Sequence, residues 1–187
     1  MKKYDNVKIE RAYDGFEPVP VGAYIGEIIN AKEEDGRLVI AFDIAEGEYK
    51  GYYNNAYKSD TREDKRWKGV FNVWLPKEDG SQQDEWTRRR LGNTLYAIED
   101  SNKGYHWSWD EKTLKGKKIG LNFRMEQYIG NDGQVHETTK CGAFVSVDDV
   151  RNGKVKEMKP KLVKDTPATA VSNEYSANEL ADENLPF

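Results

Sequence analysis

Apolar and polar residues alternate along several short stretches of the chain, a period-two pattern that predicts β-strands. Ala23 to Ala31 is a β-rich run, and the Asp35–Gly36 pair that follows suits a hairpin turn. Leu38, Ile40, Phe42 and Ile44 then alternate onto one face of a returning strand. Val70 to Leu75 predicts a third strand, stopped by Pro76. Either face of it suits a core, since Phe71, Val73 and Leu75 form one apolar set and Trp74 stands on the other. Phe71 is assigned to the core. Ile119, Leu121, Phe123 and Met125 alternate in a fourth strand over 118–125, with Asn122 and Arg124 on the opposite face. Asn131 to Gly133 predicts the turn into a fifth strand, Val135 to Val147. Between strands three and four the period changes. Trp86, Leu91, Leu95 and Ile98 share a face of one helix from Gln83 to Asp100, and Asp84 and Glu85 suit its positive end.

The connecting segments are polar. Residues 1–20 form an extended lead-in with Pro18 and Pro20, and 47–69 reads as a long loop with a short strand near Tyr52. Residues 101–113 form an aromatic loop, and 154–164 a basic exit segment. The resulting order is that of a mostly β, five-stranded OB-fold barrel with one helix between strands three and four. Residues 1–164 are expected to form this domain. Residues 165–187 hold few large apolar side chains to offset ordering entropy, so they predict a disordered acidic C-terminal tail.

Charge sharpens this division. The chain of 187 residues carries 29 Lys and Arg against 33 Asp and Glu, a net charge of -4. Five of those acids (Asp165, Glu174, Glu179, Asp182 and Glu183) lie in the tail with no base, leaving 28 acids against 29 bases in the domain. No apolar window is long enough to span a membrane, so none is expected to be crossed. A lone cysteine, Cys141, excludes an internal disulfide, and the chain is expected in the cytoplasm.

The chain ends in Ala181, Asp182, Glu183, Asn184, Leu185, Pro186 and Phe187. This end resembles the bacterial single-stranded DNA-binding protein family, in which an OB domain leads through a disordered linker to an acidic tip closed by Pro and Phe. Asp182, Glu183, Leu185, Pro186 and Phe187 match that pattern, and Asn184 stands where an acid is usual. The resemblance implies a protein of a bacterial cell or its phage that coats unpaired DNA. It also implies that the tip recruits replication or recombination proteins: a helicase, primase, exonuclease or recombination mediator. The phenylalanine would fill an apolar pocket while the acids meet a basic rim. A flexible linker of about 20 residues reaches roughly 25 Å, enough to clear DNA on the barrel.

Single strands are held by bases stacking on aromatic rings while cations track phosphates. With five Trp and eleven Tyr, the chain has rings to spare. Lys65, Arg66, Trp67 and Lys68 form a compact candidate, with Trp74 on the next strand. Tyr52, Tyr53 and Tyr57 lie among Lys50, Lys58 and Arg62. Trp107 precedes Lys117, and Arg124 and Tyr128 follow on the outward face of strand four. The competing reading places Trp67 or Trp74 in the core, and lets Trp107 and Trp109 cover the barrel end. Arg88, Arg89 and Arg90 read as a solvated helix face.

Other chemistry has thinner support. Glu48 and Lys50 with Asp43 upstream give a Mg-dependent nuclease pattern that arises often by chance. His106, His136 and Cys141 are too few and scattered for zinc, and no Walker-type phosphate loop is present. No cofactor and no enzymatic activity are expected. A protein-bridging OB domain without DNA binding is the alternative, and self-association stays open.

Overall fold

The computed structural model describes residues 17–163. The expected tail, with Asp182, Glu183, Leu185, Pro186 and Phe187, lies outside the described residues.

Five strands form one antiparallel sheet: β1 (Gly22–Glu34), β2 (Arg37–Ile44), β3 (Val70–Trp74), β4 (Lys118–Ile129) and β5 (Val135–Val145). Their spatial order is β3-β2-β1-β4-β5. The main helix, α2 (Gln82–Ser101), lies between β3 and β4 in the chain as predicted. Among the described residues β3 and β5 do not pair by hydrogen bonds, so the sheet is open along that seam. Packing bridges it instead: the rings of Phe71 on β3 and Phe144 on β5 stack with centroids 4.4 Å apart.

The predicted alternation sets the core. Leu38, Ile40, Phe42 and Ile44 on β2 are buried, as are Ile119, Leu121 and Phe123 on β4. Phe71 and Val73 turn inward, which decides the ambiguous third strand, and Trp74 is only half-buried. Ser81 caps α2 by accepting the Asp84 N–H at 3.1 Å, and Leu91 and Ile98 bury its inner face. Beyond that helix, Asn102 ties the chain to β4: its amide donates to Lys118 O at 2.8 Å and accepts from Lys118 N at 3.0 Å.

Two short helices depart from the predicted loops. α1 (Tyr52–Ser59) replaces the strand expected near Tyr52, and α3 (Val147–Arg151) ends the fifth strand at Val145 rather than Val147. A 3-10 turn, Glu111–Leu114, sits in the aromatic loop. Past Phe123, β4 has left β1 behind. The β4–β5 hairpin therefore projects, and the exit segment closes its free edge, with Lys161 bonded to Met125 O and Gln127 N. None of the described helices is long and apolar enough to cross a membrane.

Candidate nucleic-acid interface

The site begins with a buried carboxylate. Asp43, at the end of β2, is 8% exposed and faces the start of α1. One carboxylate oxygen accepts the N–H of Ile44 and Tyr53, at 2.8 and 2.9 Å, and the other accepts Asn54 N–H at 3.1 Å. Gly51 precedes α1 and offers no side-chain cap, so Asp43 supplies that acceptor from a neighbouring strand. This is why a polar stretch folds into a helix and stands over the sheet.

Helix α1 and the segment after it build one wall of a groove of about 480 Å³. Tyr57, Arg66, Trp67 and Lys68 line it together with Val70 and Asn72 of β3. The opposite wall is Thr138, Thr139, Lys140 and Cys141 of β5. The groove thus follows the unpaired seam between β3 and β5. Trp67 is fixed within it, since its indole N–H donates to both Phe42 O and Gly69 O at 3.1 Å. Gly69 is required there: a Cβ would sit 2.7 Å from the Tyr53 ring. Tyr57 lies 6.0 Å from Trp67 at an interplanar angle of 47°, with the Lys65 ammonium 4.8 Å from its ring centre. Arg66 and Lys68 are exposed and make no ion pair among the described residues. Lys140 is 62% exposed and loosely paired with Glu126 at 3.7 Å. The groove's acid, Asp60, is neutralised by Arg62 at 2.6 Å, which holds its carboxyl well below the usual range.

The candidates from the sequence divide around this groove. Tyr52, Tyr53, Tyr57, Arg66, Trp67 and Lys68 all line it, with Lys65 against Tyr57, though the first two tyrosines have structural roles as well. Trp74 continues the outward face of β3 beyond Asn72, under the Arg37 guanidinium at 5.3 Å. Tyr53 belongs to the core, edge-on to Phe42 at 5.4 Å, and burial pushes its hydroxyl pKa up. Tyr52 is spent anchoring the lead-in: its hydroxyl donates to Glu17 O at 2.7 Å.

The remaining candidates lie elsewhere. The side chain of Arg124 is 12% exposed and paired with Glu126. Its face of β4 is covered by the exit segment, where Asn122 donates to Lys156 O at 3.0 Å. Tyr128 stacks on His136 near the tip of the projecting hairpin. Lys117 rests 4.2 Å from the centre of the Tyr105 ring. Trp107 packs on the core with Trp109 beside it, among Glu33, Glu78 and Glu111. Lys140, Asn72 and Arg37 were missed by sequence reasoning. The polar run Thr138 to Lys140 inside a strand was the available signal. Cys141 lies at the floor, its thiol pKa pushed up to about 12 by burial.

No protein-family model matches the chain, and no curated protein matches it. The likeness to single-stranded DNA-binding proteins thus rests on residues 181–187.

Proposed function

We propose that this protein binds single-stranded DNA along the seam between β3 and β5, and that its C-terminal tip recruits replication or recombination proteins. The observation that carries the reading is the convergence of Trp67, Tyr57, Arg66 and Lys68 with Lys140 in one groove. Rings for base faces and cations for phosphates are the two requirements of sequence-tolerant single-strand binding. The strand order, with its main helix between β3 and β4, supports an OB-type barrel left open at the β3–β5 seam, across which Phe71 and Phe144 stack. In such barrels the ligand crosses strands two and three beside the four–five loop. On this reading the groove and the outward side of β3 take the place of that surface, and the projecting β4–β5 hairpin that of the loop.

The tip reading comes from the terminal residues alone: an acidic pair followed by Leu185, Pro186 and Phe187. Action in a bacterial cytoplasm, for the cell or its phage, follows from the same resemblance.

An electrophoretic shift with matched single- and double-stranded oligonucleotides tests the DNA reading. Preference for the single strand, accompanied by quenching of tryptophan emission on adding oligo-dT, is the expected outcome. No shift at low salt would overturn it. For the tip, deleting Leu185 to Phe187 should abolish recruitment of a partner helicase or primase and spare DNA affinity. Unchanged recruitment would refute that part.

A further inference from the structure

The far end of β3 opens on a second cavity, of about 310 Å³. Its floor is apolar: Leu38, Leu75, Pro76 and Leu91. Its walls are Trp107 and Trp109, whose ring centroids lie 6.1 Å apart at an interplanar angle of 63°. Two rings at that angle make a corner with aromatic faces on both sides. Trp109 is 76% exposed and its backbone sits at φ 60°, in the left-handed region that non-glycine residues rarely adopt. The fold thus holds a large ring out in water in a strained position.

The rim is acidic. Glu33, Glu78 and Glu111 line the cavity, and Glu33 and Glu111 make no ion pair among the described residues. The one basic lining residue, Arg88, is already engaged with Asp84 at 3.1 Å and Glu78 at 3.9 Å.

We propose that this cavity receives a single lysine or arginine side chain from a basic segment of a partner protein. The combination selects that occupant. Lysine and arginine carry an apolar stem, which the leucine and proline floor can cover. Their cationic head is attracted to indole faces and to carboxylates at once. A neutral apolar side chain would leave three carboxylates facing a dry contact, and phosphates would be repelled. This inference does not rest on the DNA reading, since groove and cavity lie at opposite ends of β3 and carry opposite charge.

The test uses the full chain, labelled with 15N. The probe is a blocked pentapeptide with one central arginine among glycine and serine. A second peptide carries citrulline, which keeps the stem and removes the charge. The indole N–H signals of Trp107 and Trp109 should shift saturably with the arginine peptide, while that of Trp67 stays in place. Trp109→Ala should weaken binding at least about tenfold, and a Glu33→Gln, Glu78→Gln, Glu111→Gln triple variant likewise. Because Trp109 is largely exposed, its alanine variant should fold. Equal shifts with the citrulline peptide would overturn the proposal. So would undiminished binding to either variant, or shifts that avoid Trp107 and Trp109. A Trp67 signal that still responds to oligo-dT in these variants keeps the two readings separable.

Discussion

The groove at the β3–β5 seam and the cavity at the other end of β3 are built from the same kinds of part. Each has two aromatic residues in contact, Tyr57 with Trp67 and Trp107 with Trp109. Each depends on a buried aspartate that ties down backbone N–H groups. Asp43 holds α1, and Asp84 holds the turn after β3 by accepting from Lys77 N and Glu78 N at 2.6 and 3.1 Å. They differ in what surrounds the rings: Arg66, Lys68 and Lys140 in one case, Glu33, Glu78 and Glu111 in the other. Rings create a surface that any flat or cationic group can use. The sign of the neighbouring charge decides whether a polyanion can approach it.

Reversing that sign should therefore have the largest effect. An Arg66→Glu, Lys68→Glu variant should lose about a hundredfold in oligo-dT affinity at low salt, roughly 2.8 kcal/mol. A Glu78→Lys, Glu111→Lys variant should lose none; a comparable loss there would erase the contrast. Filter binding over a salt series checks both. In that series, removing the two groove cations by alanine should flatten the log–log salt slope by about 1.4, at about 0.7 per phosphate contact on single strands.

Next in size are the supports. Asp43→Ala leaves the amides at the start of α1 without their acceptor, and should cost about 2 kcal/mol in urea unfolding. It should also weaken oligo-dT binding by loosening Tyr57. Trp67→Ala should lower affinity by about 1–3 kcal/mol, the range for removing one stacked base contact. Trp109→Ala should change it by less than about twofold; equal losses from both would place DNA on both surfaces.

The smallest effect is the acid response of Asp60. Its folded pKa is depressed, chiefly by the hydrogen bond from Arg62. Its contribution is therefore fully present above the unfolded value near 4 and is lost as pH falls through the lower folded one. The stability difference between the wild type and Asp60→Asn should narrow as pH drops below about 4. A difference constant down to pH 2 would show that the Arg62 pair does not set that pKa.

What was legible in the sequence was local. Period-two alternation located β2 and β4, and a β-rich run and a turn signal located β1 and β5. The residues turned inward on β2 and β4 form the core, except Met125, which is only half-buried where β4 projects past β1. The helix α2 was legible from the spacing of Trp86, Leu91, Leu95 and Ile98 and from Asp84 and Glu85 at its start; of the four, Leu91 and Ile98 are buried. What was missed depends on residues far apart in the chain. α1 is short and polar, and its acceptor, Asp43, precedes Tyr53 by ten residues on another strand. Arg124 alternates outward as expected, yet the exit segment some 30 residues later covers that face. Trp107 was a candidate stacking ring beside lysines or a cover for the barrel end; folding sets it against Glu33 and Glu78 from two other segments and Glu111 of its own loop. Lys140 gained its place only because β5 lies across an open seam from β3.

The central claim is that unpaired DNA lies in the seam groove, and ultraviolet cross-linking of oligo-dT followed by peptide mapping tests it most directly. The account predicts adducts on the segments carrying Tyr57, Trp67 and Thr138 to Cys141, and none on the loop carrying Trp107 and Trp109. Adducts confined to that loop, or to the face of β4 bearing Arg124, would contradict it.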